Sequence, residues 1–334
     1  MHVDYRNLGR SGLKVSAIGL GTHYFGWLHD ESASRAVIDR ALDLGITFID
    51  TADVYDMGRS EEFVGRAIKG KRDDLVIATK FGWPMGGGPS GAPVDQRPNA
   101  RGGSRHNVIR AVEASLKRLG TDYIDLYQIH FPDPSTPPEE TMRALDELVR
   151  SGKVRYTGCS NYAAWQVSEA MWTARHHNLI GFATSQPLYN MLQRDIENDH
   201  LPACEAHGLG IIPWGPLAGG FLTGKYKRGE PYPADSLLAT KPMAYYQITT
   251  EQNWTRLERY TAFAQARGHT VGELAVAWLL AQPSVSSVIA GASRADQLDV
   301  NITGMQWKLD AADLAEIDRI HAGDDEGGPR FSLR

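Results

Sequence analysis

The sequence predicts a single (β/α)8 barrel, a TIM barrel with an N-terminal hairpin and long loops at its C-terminal rim, occupying residues 1–334 as one domain. Three observations carry that expectation. Eight short apolar or β-branched runs recur along the chain, at 18–20, 48–50, 75–79, 124–129, 154–160, 182–186, 210–214 and 286–290. Segments with helical spacing separate them, such as Val108, Val112, Ser115, Leu116 and Leu119, or Met142, Leu145, Leu148 and Val149. Strands that alternate with helices pair in parallel, because each helix carries the chain back across the sheet. A doubly wound sheet is the competing arrangement, but it calls for a glycine-rich phosphate turn after the first strand, and Gly19-Leu-Gly21-Thr-His-Tyr24 does not complete one.

In chain order, residues 5–15 with the turn Gly9-Arg-Ser-Gly12 read as a small hairpin ahead of the first strand. Pro137-Pro138-Glu139-Glu140 opens the helix after the fourth strand and Gly152 closes it. A barrel needs about 250 residues, so this chain carries extra material. The glycine- and proline-rich stretch 81–103 follows the third strand, and 216–250 follows the seventh. In a barrel both emerge at the C-terminal rim, where ligands bind, and are expected to wall the substrate pocket. Within the first, Gly86-Gly-Gly88-Pro-Ser-Gly91 matches the letters of a dinucleotide fingerprint, but Pro89 and Pro93 exclude the helix that fingerprint requires, so the stretch reads as a loop.

Composition narrows the function classes. With 42% hydrophobic and 22% charged residues the chain is neither disordered nor fibrous. The formal net charge of -5, without runs of like charge, argues against a nucleic-acid partner or an anionic membrane surface. No apolar stretch approaches the roughly 18 to 20 residues of a membrane helix. Only two cysteines are present, Cys159 and Cys204, and the first residues lack the apolar core of a signal peptide, so a reduced, cytoplasmic setting is expected. His176 and His177 are adjacent and face different sides of a helix, and no metal site is expected. A homo-oligomer is left open.

Four polar residues fall at or just beyond successive strand ends: Asp50, Tyr55 five residues on, Lys80 and His130. A tyrosine has an ordinary pKa of about 10 and donates its proton poorly unless a cation stabilises the phenolate, which Lys80 can supply. A lysine buried in a barrel mouth needs a counter-charge, and Asp50 is the natural partner. His130 can orient a carbonyl by hydrogen bonding or join Tyr55 in proton transfer. Each residue alone has an ordinary structural explanation: a helix cap, a surface tyrosine, a solvated lysine, a packed histidine. Together, titratable groups at neighbouring strand ends are hard to explain by packing.

The sequence resembles the aldo-keto reductase family through GITFIDTADVY at 45–55, IATK at 77–80, LGTDYIDLYQIH at 119–130, GKVRYTGCSN at 152–161, SQPLYN at 185–190, PLAGGFLTGK at 216–225 and IAGASRADQL at 289–298. The resemblance runs from about residue 5 to about residue 320 and keeps the order and spacing of all seven segments. It implies a carbonyl reductase in which Tyr55 is the proton donor, Lys80 lowers its pKa, Asp50 pairs with Lys80 and His130 positions the carbonyl of a small-molecule substrate.

The cofactor it implies is NADPH/NADP. Gly21, Thr22 and Asp50 would lie along it, and Ser160, Asn161 and Gln186 would hold the nicotinamide carboxamide. Trp214 stands where the family stacks an aromatic ring, followed by Gly215 where many members have serine. The loop from Pro216, through the backbone of Leu217 and Gly219 and the side chain of Lys225, would clasp the pyrophosphate. Gly291, Ser293, Arg294, Gln297 and Asn301 would take the adenosine end. An arginine and a hydroxyl opening a helix suit a 2'-phosphate and so favour NADPH over NADH. Tyr24, Trp27, Trp83 and Phe131, with Trp165, are expected to give the substrate pocket an aromatic lining. The rival function is a cofactor-binding sensor or channel-accessory protein of the potassium-channel β-subunit type. Those subunits share the motif set and depart from this chain at His130.

Overall fold

The computed structural model describes residues 3–86, 93–234, 236–240, 248–292 and 294–323. The chain opens with the antiparallel hairpin β1 (Tyr5–Asn7) and β2 (Lys14–Ser16). The barrel strands follow as β3 (Ile18–Gly21), β4 (Phe48–Asp50), β5 (Val76–Phe81), β6 (Ile124–Ile129), β7 (Val154–Ser160), β8 (Thr184–Gln186), β9 (Gly210–Ile211) and β10 (Val288–Gly291). They pair in parallel in the order β10-β3-β4-β5-β6-β7-β8-β9. The two ends of that series are themselves joined, since the Ser286 amide donates to Ile211 O at 2.8 Å and the Ile289 amide to Pro213 O at 3.1 Å. The eight-stranded (β/α)8 barrel expected from the sequence is therefore the architecture found.

The seventh strand is shorter than the expected 210–214. Pro213 has no amide to give a ladder, so regular pairing stops at Ile211 while Pro213 still accepts from β10.

Helices α1 (Glu31–Asp43), α2 (Arg59–Ala67), α3 (Arg105–Leu119), α4 (Pro138–Arg150), α5 (Ala164–His176) and α6 (His200–His207) fill the connections up to β9. The longer excursion between β9 and β10 holds α7 (Leu237–Thr240), α8 (Glu251–Gln265) and α9 (Val271–Ala281); α10 (Gln297–Gln306) and α11 (Ala311–Ala322) close the chain. Local sequence explains their limits. Ser104 caps α3 by accepting from the Asn107 amide, and Gly120 ends it in the left-handed conformation. Thr270 and Glu273 form a capping box on α9, whose apolar residues are buried on nearly every side. No helix among the described residues is long and apolar enough to cross a membrane.

Strand alternation divides the chain's apolar residues into two cores. Phe48, Val76, Ala78, Leu126, Ile212 and Ile289 fill the barrel interior together with Leu8 and Val15 of the hairpin. Ile49, Ile77, Tyr127 and Ile129 belong instead to the larger core that includes the surrounding helices. The hairpin is tied to the far end of the chain. Arg6 donates to Val285 O at 2.9 Å and to Leu280 O at 2.8 Å, and the Gly9 amide to Ser286 Oγ at 3.1 Å.

Candidate active site

The alternation that puts Phe48, Val76, Ala78 and Leu126 inside the barrel continues toward the strand ends as Asp50, Lys80 and Gln128. The rim is thus where the interior changes from apolar to ionisable. Lys80 and Asp50 are almost wholly enclosed, their side chains 1% and 3% exposed, and lie 2.6 Å apart. Lys80 Nζ donates to Asp50 Oδ2, to Thr51 O at 2.9 Å and to Tyr55 Oη at 3.3 Å. Three donors are what an ammonium has, so all its hydrogens are engaged and the phenol oxygen is used as an acceptor. The other Asp50 oxygen accepts from Gln128 Nε2 at 3.2 Å and Gln186 Nε2 at 3.0 Å.

Tyr55 begins a tight turn, Tyr55–Gly58, before α2. Asp56, Met57 and Gly58 all have positive φ, at 45°, 60° and 91°. Gly58 is required twice over. Its φ disfavours any other residue, and a Cβ there would come within 2.6 Å of the Arg118 side chain. The first turn of α2 is then bonded to three strand ends: Ser60 to Thr22 and Thr51, and Glu61 to Thr79.

The electrostatics add burial to the expected pairing. Burial pushes the Tyr55 phenol above its ordinary pKa; Lys80 draws it down, in the direction expected of it, but does not outweigh the burial. Burial pulls Lys80 down, yet Asp50 and Tyr55 outweigh it and hold the ammonium above its ordinary range. Burial, with Lys80 and His23 nearby, keeps His130 well below its usual value and therefore neutral. The His130 ring lies 5.9 Å from that of Tyr55 at 76°, and its Nδ1 is buried without a hydrogen-bond partner.

Beside this group the structure gathers the residues singled out for the nicotinamide. Ser160 Oγ donates to Gln186 O at 2.8 Å; Asn161 Nδ2 donates to Ser160 Oγ at 3.0 Å and to His130 O at 3.1 Å; Trp214 Nε1 donates to Asn161 Oδ1 at 3.1 Å. Asn161 adopts φ 59°, a conformation that asparagine tolerates best among residues with a Cβ. Gly21 is in register with both Asp50 and Gly291, and the Thr22 amide and hydroxyl both donate to Asp50 O.

After Trp214 the chain turns through Gly215 (φ 68°) and Pro216 into a 3-10 turn, Ala218–Thr223, in which Ala218, Gly219 and Gly220 have φ of 51°, 64° and 86°. Among the described residues neither the Leu217 nor the Gly219 amide is bonded to another backbone carbonyl. Phe221 and Leu222 anchor the turn in the core, so this part of 216–250 is a packed element. Lys225 Nζ lies over the Tyr226 ring at 5.1 Å. At the far end, Arg294 is exposed and paired with Asp296, Gln297 opens α10, and Asn301 is buried with its Oδ1 unpartnered. Ser293 lies outside the described residues, as do 87–92 of the glycine-rich loop.

The aromatic residues form two groups around Tyr55. His23 meets Tyr24, Trp27 and Tyr55, the last edge-on at 4.8 Å and 84°. Trp83 and Phe131 are in contact at 3.9 Å, and both adjoin His130. Trp165 departs from the expected lining. It stands 65% exposed in the first turn of α5 and joins none of these ring contacts among the described residues. His23, Gln128 and Ser60 were not among the residues expected from the sequence. Gln128 was detectable by counting back two from His130, which keeps it on the interior face.

A parallel barrel with a buried lysine–aspartate pair, a tyrosine and a neutral histidine at the C-terminal ends of its strands defines an oxidoreductase-type rim site. Residues 17–322 match the family model described as "Aldo/keto reductase family", and the chain belongs to that family of oxidoreductases. It is 39% identical over 308 residues, covering 90% of each chain, to a "Probable voltage-gated potassium channel subunit beta" of Arabidopsis thaliana. It is 36% identical over 337 residues to the "L-glyceraldehyde 3-phosphate reductase" of Escherichia coli K12, covering 97% of this chain and 94% of that one. To the "Aldo-keto reductase YhdN" of Bacillus subtilis it is 36% identical over 342 residues, covering 98% and 97%.

Proposed function

We propose that this chain reduces aldehyde or ketone carbonyls to alcohols with NADPH, and that Tyr55 gives the proton. The observation that carries the reading is the saturated Lys80 ammonium, held between Asp50, Thr51 and Tyr55. Because Lys80 donates to the phenol oxygen, the phenol hydrogen is left for an acceptor such as a carbonyl oxygen. Tyr55 keeps that hydrogen at neutral pH, since burial holds its pKa up. As negative charge grows on the phenol oxygen during transfer, the adjacent ammonium stabilises it. His130, neutral, orients the carbonyl by hydrogen bonding and is a poor acid beside Lys80.

The residues present fit a nicotinamide dinucleotide. Ser160, Asn161 and Gln186 offer the mixed donors and acceptors that a carboxamide needs, and Trp214 offers an aromatic face beside them. The amides of Leu217 and Gly219 suit a phosphate, and the unpartnered Asn301 Oδ1 suits a base amino group. When bound, the reduced nicotinamide supplies the hydride. Arg294 would meet a 2'-phosphate. We read residues 1–334 as one functional domain and place it in the cytoplasm, where its two free cysteines stay reduced.

The test is oxidation of NADPH, followed by absorbance, with 4-nitrobenzaldehyde and a panel of aldehydes and ketones. Tyr55→Phe is expected to remove nearly all turnover and leave NADPH binding unchanged; persistence of activity would overturn the donor assignment. A second reading, a nicotinamide-binding sensor or channel-accessory protein, is favoured by the similarity to relatives named as potassium-channel β-subunits. Tight NADPH binding with no turnover across the whole panel would select it.

A further inference from the structure

Between Tyr55 and the helix that follows it, three consecutive residues take left-handed backbone angles. Two of them, Asp56 and Met57, carry a Cβ, and such conformations are strained and persist only where the surroundings impose them. The restraint is visible at the start of α2. Ser60 Oγ lies 2.8 Å from Thr22 Oγ1, 2.9 Å from Thr51 Oγ1 and 3.0 Å from Thr22 O. All three side chains are fully buried. Each hydroxyl has one hydrogen, and Thr22 Oγ1 spends its own on Asp50 O at 3.0 Å. Counting hydrogens fixes the direction of the chain: Thr22 donates to the Asp50 carbonyl, Ser60 turns its one hydrogen to the two Thr22 oxygens, O and Oγ1, and Thr51 donates to Ser60.

Every member of that chain touches the backbone of a site residue or its neighbour. Thr51 O is a ligand of the Lys80 ammonium, Asp50 O belongs to its counter-charge, and Ser60 stands five residues after Tyr55 at the far side of the strained turn. The neighbouring Glu61 repeats the arrangement one strand over, accepting from Thr79 Oγ1 at 2.6 Å and from Arg118 Nε at 2.6 Å. We infer that Ser60 is a positioning residue whose hydroxyl ties the segment carrying Tyr55 to the strand ends carrying Asp50 and Lys80, and so sets the separation of the phenol from the ammonium. The inference rests on the reading of Tyr55 as proton donor.

The experiment compares full-length wild type, Ser60→Ala, Thr51→Val and Tyr55→Phe. It reads kcat and KM for 4-nitrobenzaldehyde, NADPH affinity by quenching of protein fluorescence, the pH dependence of kcat, and the melting temperature. For Ser60→Ala, kcat is expected to fall about tenfold to a hundredfold, with KM and NADPH affinity within about twofold of wild type, as displacements near 1 Å do. The high-pH limb of kcat should move upward, because a phenol farther from Lys80 loses the influence that draws its pKa down. A hydroxyl that only stabilised the fold would lower the melting temperature and leave the limb where it was. Wild-type kcat and an unmoved limb in folded Ser60→Ala overturn the inference. Should Ser60→Ala fail to fold, Thr51→Val decides on the same readouts, since it removes the 2.9 Å contact and keeps the side-chain shape. The two readings separate cleanly. Active Tyr55→Phe sinks the donor assignment, whereas inactive Tyr55→Phe beside an unaffected Ser60→Ala sinks the positioning role alone.

Discussion

Replacing Lys80 by methionine deletes a charge and leaves its partner in place. At 2.6 Å and an effective dielectric of about 20, the attraction lost is about 6 kcal/mol before any compensation. Asp50 then remains buried with the Gln128 and Gln186 amides as its side-chain partners. Breaking a buried pair from one side costs about 3–5 kcal/mol, and those two amides put the expectation near the lower end. The double variant Asp50→Asn with Lys80→Met removes both charges. It should be more stable than Lys80→Met alone while remaining equally inactive. Urea unfolding followed by tryptophan fluorescence and far-UV circular dichroism gives the free energies, coincident transitions being the requirement for using them. A loss below about 1 kcal/mol in the single variant, or a double variant weaker than the single, refutes the reasoning. The pH dependence follows from the sign of the shift. A lysine held above its ordinary value contributes fully below that value and loses its contribution only as pH rises through the folded one, so the effect is constant around neutrality.

Arg294→Ala should weaken NADPH by about tenfold and NADH much less, the difference shrinking as salt is added. Equal losses for both cofactors, measured by fluorescence titration, would remove the 2'-phosphate argument. Asp133 accepts from the Gly103 amide at 2.8 Å, from Ser135 and from Thr136 Oγ1 at 2.7 Å, tying the loop after β5 to the one after β6. Burial pushes its carboxyl up, but these hydrogen bonds outweigh burial and hold it below the usual range. Its contribution is therefore present above that range and lost as pH falls through the folded value. Asp133→Ala should raise KM for aromatic aldehydes with kcat nearly unchanged, and wild-type KM should rise in acid; a variant with unaltered KM removes the clamp.

The parts of this molecule that were legible in the sequence are those governed by short-range pattern. Strand runs separated by helical spacing led to the barrel, and Asp50, Lys80 and His130 stood out because each is a polar residue at or just past the end of an apolar run. The limits of α4 followed from Pro138 and Gly152, whose effects are local. What stayed hidden depends on which elements meet. Thr22, Thr51 and Ser60 form one hydroxyl cluster across 38 residues of sequence, and nothing in their neighbours announces it. His23 reaches Tyr55 only because the loop after β3 lies beside the turn after β4. The effect of burial on Tyr55 stayed hidden for a related reason. Its cation could be guessed from spacing, but the enclosure that outweighs the cation comes from several loops at once. Trp165 failed the other way, since a position near a rim loop does not fix the side that a helical side chain faces.

The latch beneath the barrel bears on how the chain is made. Arg6 finds its carbonyl acceptors 274 and 279 residues downstream, and Gly9 its hydroxyl 277 residues away. During synthesis the hairpin leaves the ribosome well before its anchoring partners, which emerge only about when the last barrel strand does. Until then Leu8 and Val15 have an incomplete surface to cover, and the first strand keeps an open edge. The nascent protein is therefore most exposed to wrong pairing late in translation, and fragments lacking the final strand should be far more sticky than their length alone implies.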